Sequence, residues 1–349
     1  MTTMRVVLDQ LVEEGLLPPD SRATISSASG AADDALGNPW YVRVLVGIGA
    51  WIAALLLIVF LAGGLRIITT GQSAISVGLT LCAIAIALRR LSPASVFAVQ
   101  LALALSMAGQ ALFGGGVGSL ARGVAPTMLA VVVLEIALIA VYPDIVHRFL
   151  SAVVIVGALV SLLLEWQLPG AIHALVGLLA AGALALWEAE SALAAARAER
   201  LCRPIGYGLV VGLLGVLCLG INDLVAIPHP WISGLLLMLV LLVLEYRIVS
   251  RFERRAAVAV AAWLIGGTVL VCLPALWTPG ILAAVIVVEL GFARGNRLLL
   301  GLGIVGLVLF LSAFYYQLEL TLLVKSLVLL ATGLLLLGLR VVAPKEELA

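Results

Sequence analysis

Charge is what this 349-residue chain has least of. Asp, Glu, Lys and Arg together make up 11% of it, against about 25% in an ordinary globular domain. Hydrophobic residues make up 64%, and the mean hydropathy is +1.24. A water-soluble fold has no means of covering that much apolar surface, so the solvent for most of the chain is lipid. Excess charge of one sign is missing too. A formal net charge of +1 argues against a nucleic-acid partner, whose phosphates demand clustered basic residues.

Reactive groups are equally sparse. Cys82, Cys202, Cys218 and Cys272 show neither metal-ligand spacing nor a disulfide framework, and three of them lie in apolar runs as small hydrophobes. His147, His173 and His229 are scattered, so no metal site is expected. No nucleophile elbow, zinc-binding helix or kinase motif occurs. The stretch "FGGGVGSLARG" from Phe113 lacks the Lys and Ser/Thr that close a phosphate-binding loop. The expectation is a protein that is not an enzyme and carries no cofactor.

What is present is a series of long apolar runs. Residues 1–39 come first and do not read as an export signal, because Asp9, Glu13 and Glu14 interrupt any apolar core. Val7, Leu8, Leu11 and Val12 recur at helical spacing there, which predicts a short amphipathic helix in a cytosolic segment. From Trp40 to Arg340 we count twelve apolar runs, with a tail over 341–349 after them. Several runs, such as Phe149–Leu164 and Gly280–Phe292, fall short of the roughly 20 residues a bilayer requires. The predicted class is an all-α integral membrane protein of about twelve transmembrane helices. With the N-terminus inside, seventeen of the twenty Lys and Arg residues fall on the cytoplasmic side, so both termini are expected in the cytosol.

Four of the predicted inward-running helices share a layout. Each comes after a proline-containing loop and carries a glutamate, namely Glu135, Glu188, Glu245 and Glu289. Their spacings of 53, 57 and 44 residues fit one helical hairpin per repeat. Glu188 and Glu245 lie beside polar or basic residues and read as acids of the membrane edge. Glu289 stands five residues before Arg294, roughly 8 Å of helix. Glu135 stands nine residues before Asp144, roughly 13 Å, and must face protein or water.

Lys325 interrupts the apolar run Leu318–Leu339. Two readings stay open for it: a side chain that reaches for the interface or an ion pair, or part of a substrate or proton site. Glu135, Glu289 and Lys325 are therefore the candidate residues of a substrate or proton pathway. Ser106 and Gln110, one turn apart, read as a helix cross-link, and Gly208 and Gly212 as a close helix contact.

Two segments carry a family resemblance. "NPWYVRVLVGIGAWIAALLLIVFLAGGL" from Asn38 and "YYQLELTLLVKSLVLLATGLLLLGLR" from Tyr315 resemble the bacterial membrane proteins grouped as domain of unknown function 4401. The opening "LDQLVEEGLLPPDSRATI" is similar to the start of a second group, domain of unknown function 2157. The resemblance implies a multi-pass protein of the bacterial inner (cytoplasmic) membrane. It also implies two partners, a second polytopic protein and a small membrane-associated protein, because relatives are often encoded beside such genes. It supplies no catalytic residue. Two functions stand as expectations: a non-enzymatic member of a membrane complex, or a transporter of a small solute, ion or lipid-like molecule working through its intramembrane charges.

Overall fold

The computed structural model describes residues 40–60, 69–93, 95–196, 198–221, 228–250, 265–270, 272–317 and scattered positions between 323 and 338. The N-terminal segment, Lys325 and the C-terminal tail fall outside them. Every regular element described is helical. They are α1 (Trp40–Val59), α2 (Gly71–Leu91), α3 (Val96–Ala121), α4 (Val124–Val141), α5 (Ile145–Glu165), α6 (Ala171–Glu188), the short α7 (Glu190–Ala195), α8 (Glu199–Ile221), α9 (Trp231–Val249), α10 (Pro279–Ala293) and α11 (Arg297–Gln317), with a 3-10 turn at Pro274–Trp277. Among the described residues, eight helices are long and apolar enough to cross a bilayer, and α10, at 15 residues, is a shorter apolar helix.

One boundary differs from expectation. The third apolar run ends at Phe113, yet α3 continues through Gly114, Gly115 and Gly116 to Ala121. In hydrocarbon an unpaired backbone amide costs several kcal/mol. Glycines that would end a helix in water therefore prolong it here.

The chain divides into two compact units, Met1–Leu112 and Phe113–Ala349. In the first, α2 opens with a capping box in which Thr70 and Ser73 satisfy each other's backbone amides. Its Cys82 thiol donates to the Ser106 carbonyl at 3.7 Å, and Gln110 donates to Ser106 Oγ within α3 at 3.4 Å. One tie between these two helices thus runs through Cys82 and a carbonyl, and Ser106 and Gln110 bond each other within α3.

The second unit has its core where α5, α6, α8, α9 and α10 meet, around Val156, Val176, Leu213, Leu241 and Leu282. The Gly208–Gly212 contact forms as expected between α8 and α5. A Cβ on Gly208 would lie 2.5 Å from Ala152 Cβ, and one on Gly212 2.9 Å from Val156 Cγ2. Pro204 sits inside α8 and offers no amide to the Arg200 carbonyl four residues back. Arg148 fills the gap: Nη1 donates to that carbonyl at 3.0 Å, while Nε donates to Ile139 O at the end of α4, also at 3.0 Å.

Two helices end in the same six-residue device. At the end of α5, Leu168 N–H bonds Leu163 O and Gln167 N–H bonds Leu164 O; at the end of α10, Asn296 bonds Gly291 O and Gly295 bonds Phe292 O. Both require a left-handed residue after the cap. Gly295 fills that position at φ +60°, but at the end of α5 it is Gln167, at φ +53°. A side chain there costs about 1 kcal/mol. Gln167→Gly should therefore raise stability by up to about 1 kcal/mol, read as a higher melting temperature in detergent. An unchanged or lower value would mean that the Gln167 side chain makes a compensating contact.

Candidate functional site

Among the described residues of the second unit, four groups of polar side chains stand out. The first joins α9, α10 and the chain before Pro274. Thr268 donates a hydrogen bond to Glu245 Oε1. Glu245 and Glu289 are close enough to act on each other electrostatically, and both act on the Cys272 thiol. The Oε2 atoms of both glutamates are buried without a hydrogen-bond partner among the described residues. Two carboxyls thus lie within electrostatic reach of each other, each with a buried oxygen that has no hydrogen-bond partner among the described residues.

Glu245 is the residue that sequence reading set aside, because Arg247 is two positions away. Helical phase carries the missing signal. Leu237, Leu241, Leu244 and Glu245 share the buried face of α9, whereas Leu239, Val243 and Arg247 share the exposed one. Two residues turn a helix by about 200°, so residues two apart point in opposite directions.

The second group surrounds Glu135, which is fully buried in α4. Neither of its carboxylate oxygens has a hydrogen bond of normal geometry, although the Ser151 hydroxyl on α5 is near enough to act on the carboxyl. Ser151 Oγ in turn lies 3.3 Å from His147 Nδ1, and Tyr142 stacks on the His147 ring at 4.1 Å. The file Glu135–Ser151–His147 climbs α5 by single turns toward Asp144, which caps α5 through the amides of Val146 and His147.

The third group closes the end of the bundle. Arg294 Nη2 donates to Glu188 Oε1, and Arg247 Nη1 stands 4.0 Å from Glu188 Oε2. Beside it, Asn296 accepts from the amides of Leu298 and Leu299 to cap α11, and shares hydrogen bonds with the Tyr207 hydroxyl at 2.8 and 3.1 Å.

The fourth group is His173, buried on α6. Its Nε2 lies 2.7 Å from Pro228 O and its Nδ1 2.7 Å from Ser233 Oγ. A carbonyl only accepts, so Nε2 carries the proton. His173 thereby ties α6 to α9 and to the loop before it.

Glu135 and Glu289 thus sit in separate polar groups that share no residue. Lys325 lies outside the described residues. A cavity of about 460 Å³ opens at the Pro279 end of α10, between Pro230, Trp277, Phe310 and Phe314. Glu289 is ten residues deeper on α10, about 15 Å away along the helix, and does not line this cavity. No group of three or more metal-ligating side chains occurs among the described residues.

No curated protein and no solved structure matches the chain. The family model described as Domain of unknown function (DUF4401) matches residues 39–345. That span covers most of the chain and all the helices described above, and the chain belongs to this family.

Proposed function

We propose that this protein is a multi-pass, non-enzymatic transporter that passes protons through its membrane-embedded carboxyls, coupled to a small solute or ion. One observation carries the reading: Glu245 and Glu289 are close enough to interact electrostatically, and each has a buried oxygen with no hydrogen-bond partner among the described residues. Intramembrane carboxyls are costly unless neutralised by a proton or a counter-ion, and they recur in proton relays. A purely structural bundle gains nothing from placing two of them together. The Glu135–Ser151–His147 file supports the same reading, because it lines up three groups that can each carry or relay a proton.

Twelve spans with both termini in the cytosol, in the bacterial inner membrane, complete the proposal. They are supported by the apolar runs and by the distribution of Lys and Arg. Membership of a complex with a second polytopic protein and a small membrane-associated protein rests on the company its relatives keep. It is compatible with transport.

The test uses the full chain in liposomes that hold a pH-sensitive dye, with a potassium potential to drive proton entry. Wild type should acidify the lumen faster than empty liposomes. Glu245→Gln and Glu289→Gln should each return the rate to the empty-liposome leak, while Glu199→Gln, an exposed acid paired with Arg203, should not. If the double variant Glu245→Gln/Glu289→Gln conducts as wild type does, the carboxyl pair carries no protons and the reading fails.

A further inference from the structure

The pair α6 and α9 leaves a groove of about 550 Å³ on its flank. Ala181 and Ala185 on α6 and Ala189 at its C-cap, four residues apart, form one wall, and Leu239, Val243 and Arg247, one turn apart on α9, form the other. Alanine is what makes the groove deep, since longer side chains at these three positions would fill it. Ala181, Ala185, Leu239 and Val243 are exposed, so the groove opens to the surrounding medium, which for this part of the chain is lipid. It runs about 12 Å along the helices.

At one end hydrocarbon gives way to charge. Arg247 has 57% of its side chain exposed, and its carboxylate neighbour, Glu188 Oε2, is 4.0 Å away, beyond hydrogen-bond reach. Glu188 Oε1 already accepts from Arg294. The Glu188 carboxylate is thus shared between two guanidinium groups, and its contact with the exposed Arg247 is the longer one. The order of features is apolar trough, then exposed guanidinium. A molecule that fits has a hydrocarbon chain ending in an anion, and guanidinium is well matched to phosphate through paired donors.

We propose that this groove binds an anionic phospholipid of the bilayer, with an acyl chain along the alanine wall and the phosphate on Arg247. The site is independent of the carboxyl pair. Glu245 lies on the opposite, buried face of α9, so a bound lipid touches none of the proposed proton carriers.

The test is native mass spectrometry of the full chain in mild detergent, titrated with dioleoyl phosphatidylglycerol and, separately, with dioleoyl phosphatidylcholine. Wild type should retain phosphatidylglycerol in preference. Arg247→Gln should weaken phosphatidylglycerol binding about tenfold, the value of one charge-assisted contact, and leave phosphatidylcholine binding unchanged. Arg247→Lys should keep the preference, and Ala185→Trp, which fills the trough, should lower binding of both lipids. Arg247→Gln alters an exposed side chain only and decides the matter even if Ala185→Trp fails to fold. Equal phosphatidylglycerol retention by wild type and Arg247→Gln would overturn the proposal. So would displacement of the lipid by millimolar sodium phosphate, which would mark the site as one for a free anion.

Discussion

Glu188→Ala should destabilise the protein by about 3 kcal/mol, the low end of the cost of breaking a buried ion pair from one side. Arg294 is the reason. Its side chain is only 14% exposed, and Glu188, itself 15% exposed, accepts its Nη2 hydrogen. Removing the carboxylate leaves a guanidinium with little water and no counter-charge. Arg247 cannot substitute, since it carries the same sign. The loss should be visible as a lower midpoint in a denaturing-detergent titration. The double variant Glu188→Ala/Arg294→Met should recover most of it, because no charge is then stranded. A double variant as unstable as the single one would locate the damage in packing of the Glu188 stem and not in the lost pairing.

Gly208→Leu should be comparably severe, at about 3 kcal/mol, the upper end for overpacking a well-filled core. Even the first side-chain carbon would stand 2.5 Å from Ala152 Cβ and 3.1 Å from the Phe149 carbonyl. Both are atoms fixed to the α5 backbone, so no rotamer change relieves the contact. Relief requires α5 and α8 to separate, which also pulls Arg148 from the Arg200 carbonyl that Pro204 leaves unpaired. Gly215→Leu on the same helix meets open space and serves as the control. If both variants melt alike, the α5–α8 contact contributes less than its geometry implies.

These two sites show what the sequence disclosed and what it withheld. Gly208 and Gly212 announced a close helix contact by spacing alone, but the partner could not be named, since an apolar surface of α5 looks like that of any other span. The four-glutamate repeat pointed to one acid on each of four inward-running helices. The fold brings three of the helices, α6, α9 and α10, into one core, and there the acids take different partners. Glu188 meets Arg294, while Glu289 comes within electrostatic reach of Glu245. Those pairings are long-range and depend on helix rotation, which spacing from a charged residue does not report. Depth from the nearest arginine does not say which face Glu245 occupies; the phase of Leu237 and Leu241 places it on the buried one. His173 gave no signal beyond its place on an apolar face, because its partners are a serine and a carbonyl 60 and 55 residues away. The extension of α3 through three glycines was hidden by a rule that holds in water and fails in lipid.

The brevity of α10 has an electrical consequence. Its 15 residues reach about 22 Å, some 8 Å less than a typical hydrocarbon core. An open cavity lies at its Pro279 end, and water filling it would thin the insulating layer further. Where polarisable medium enters from one face, the membrane voltage falls across the thinner insulating layer that is left. A full crossing of one charge still amounts to about 2.3 kcal/mol per 100 mV, but along α10 that drop would be compressed into fewer ångströms. A proton stepping to or from Glu289 would then sense a larger fraction of the voltage per ångström than the same step taken beside the 26-residue α3.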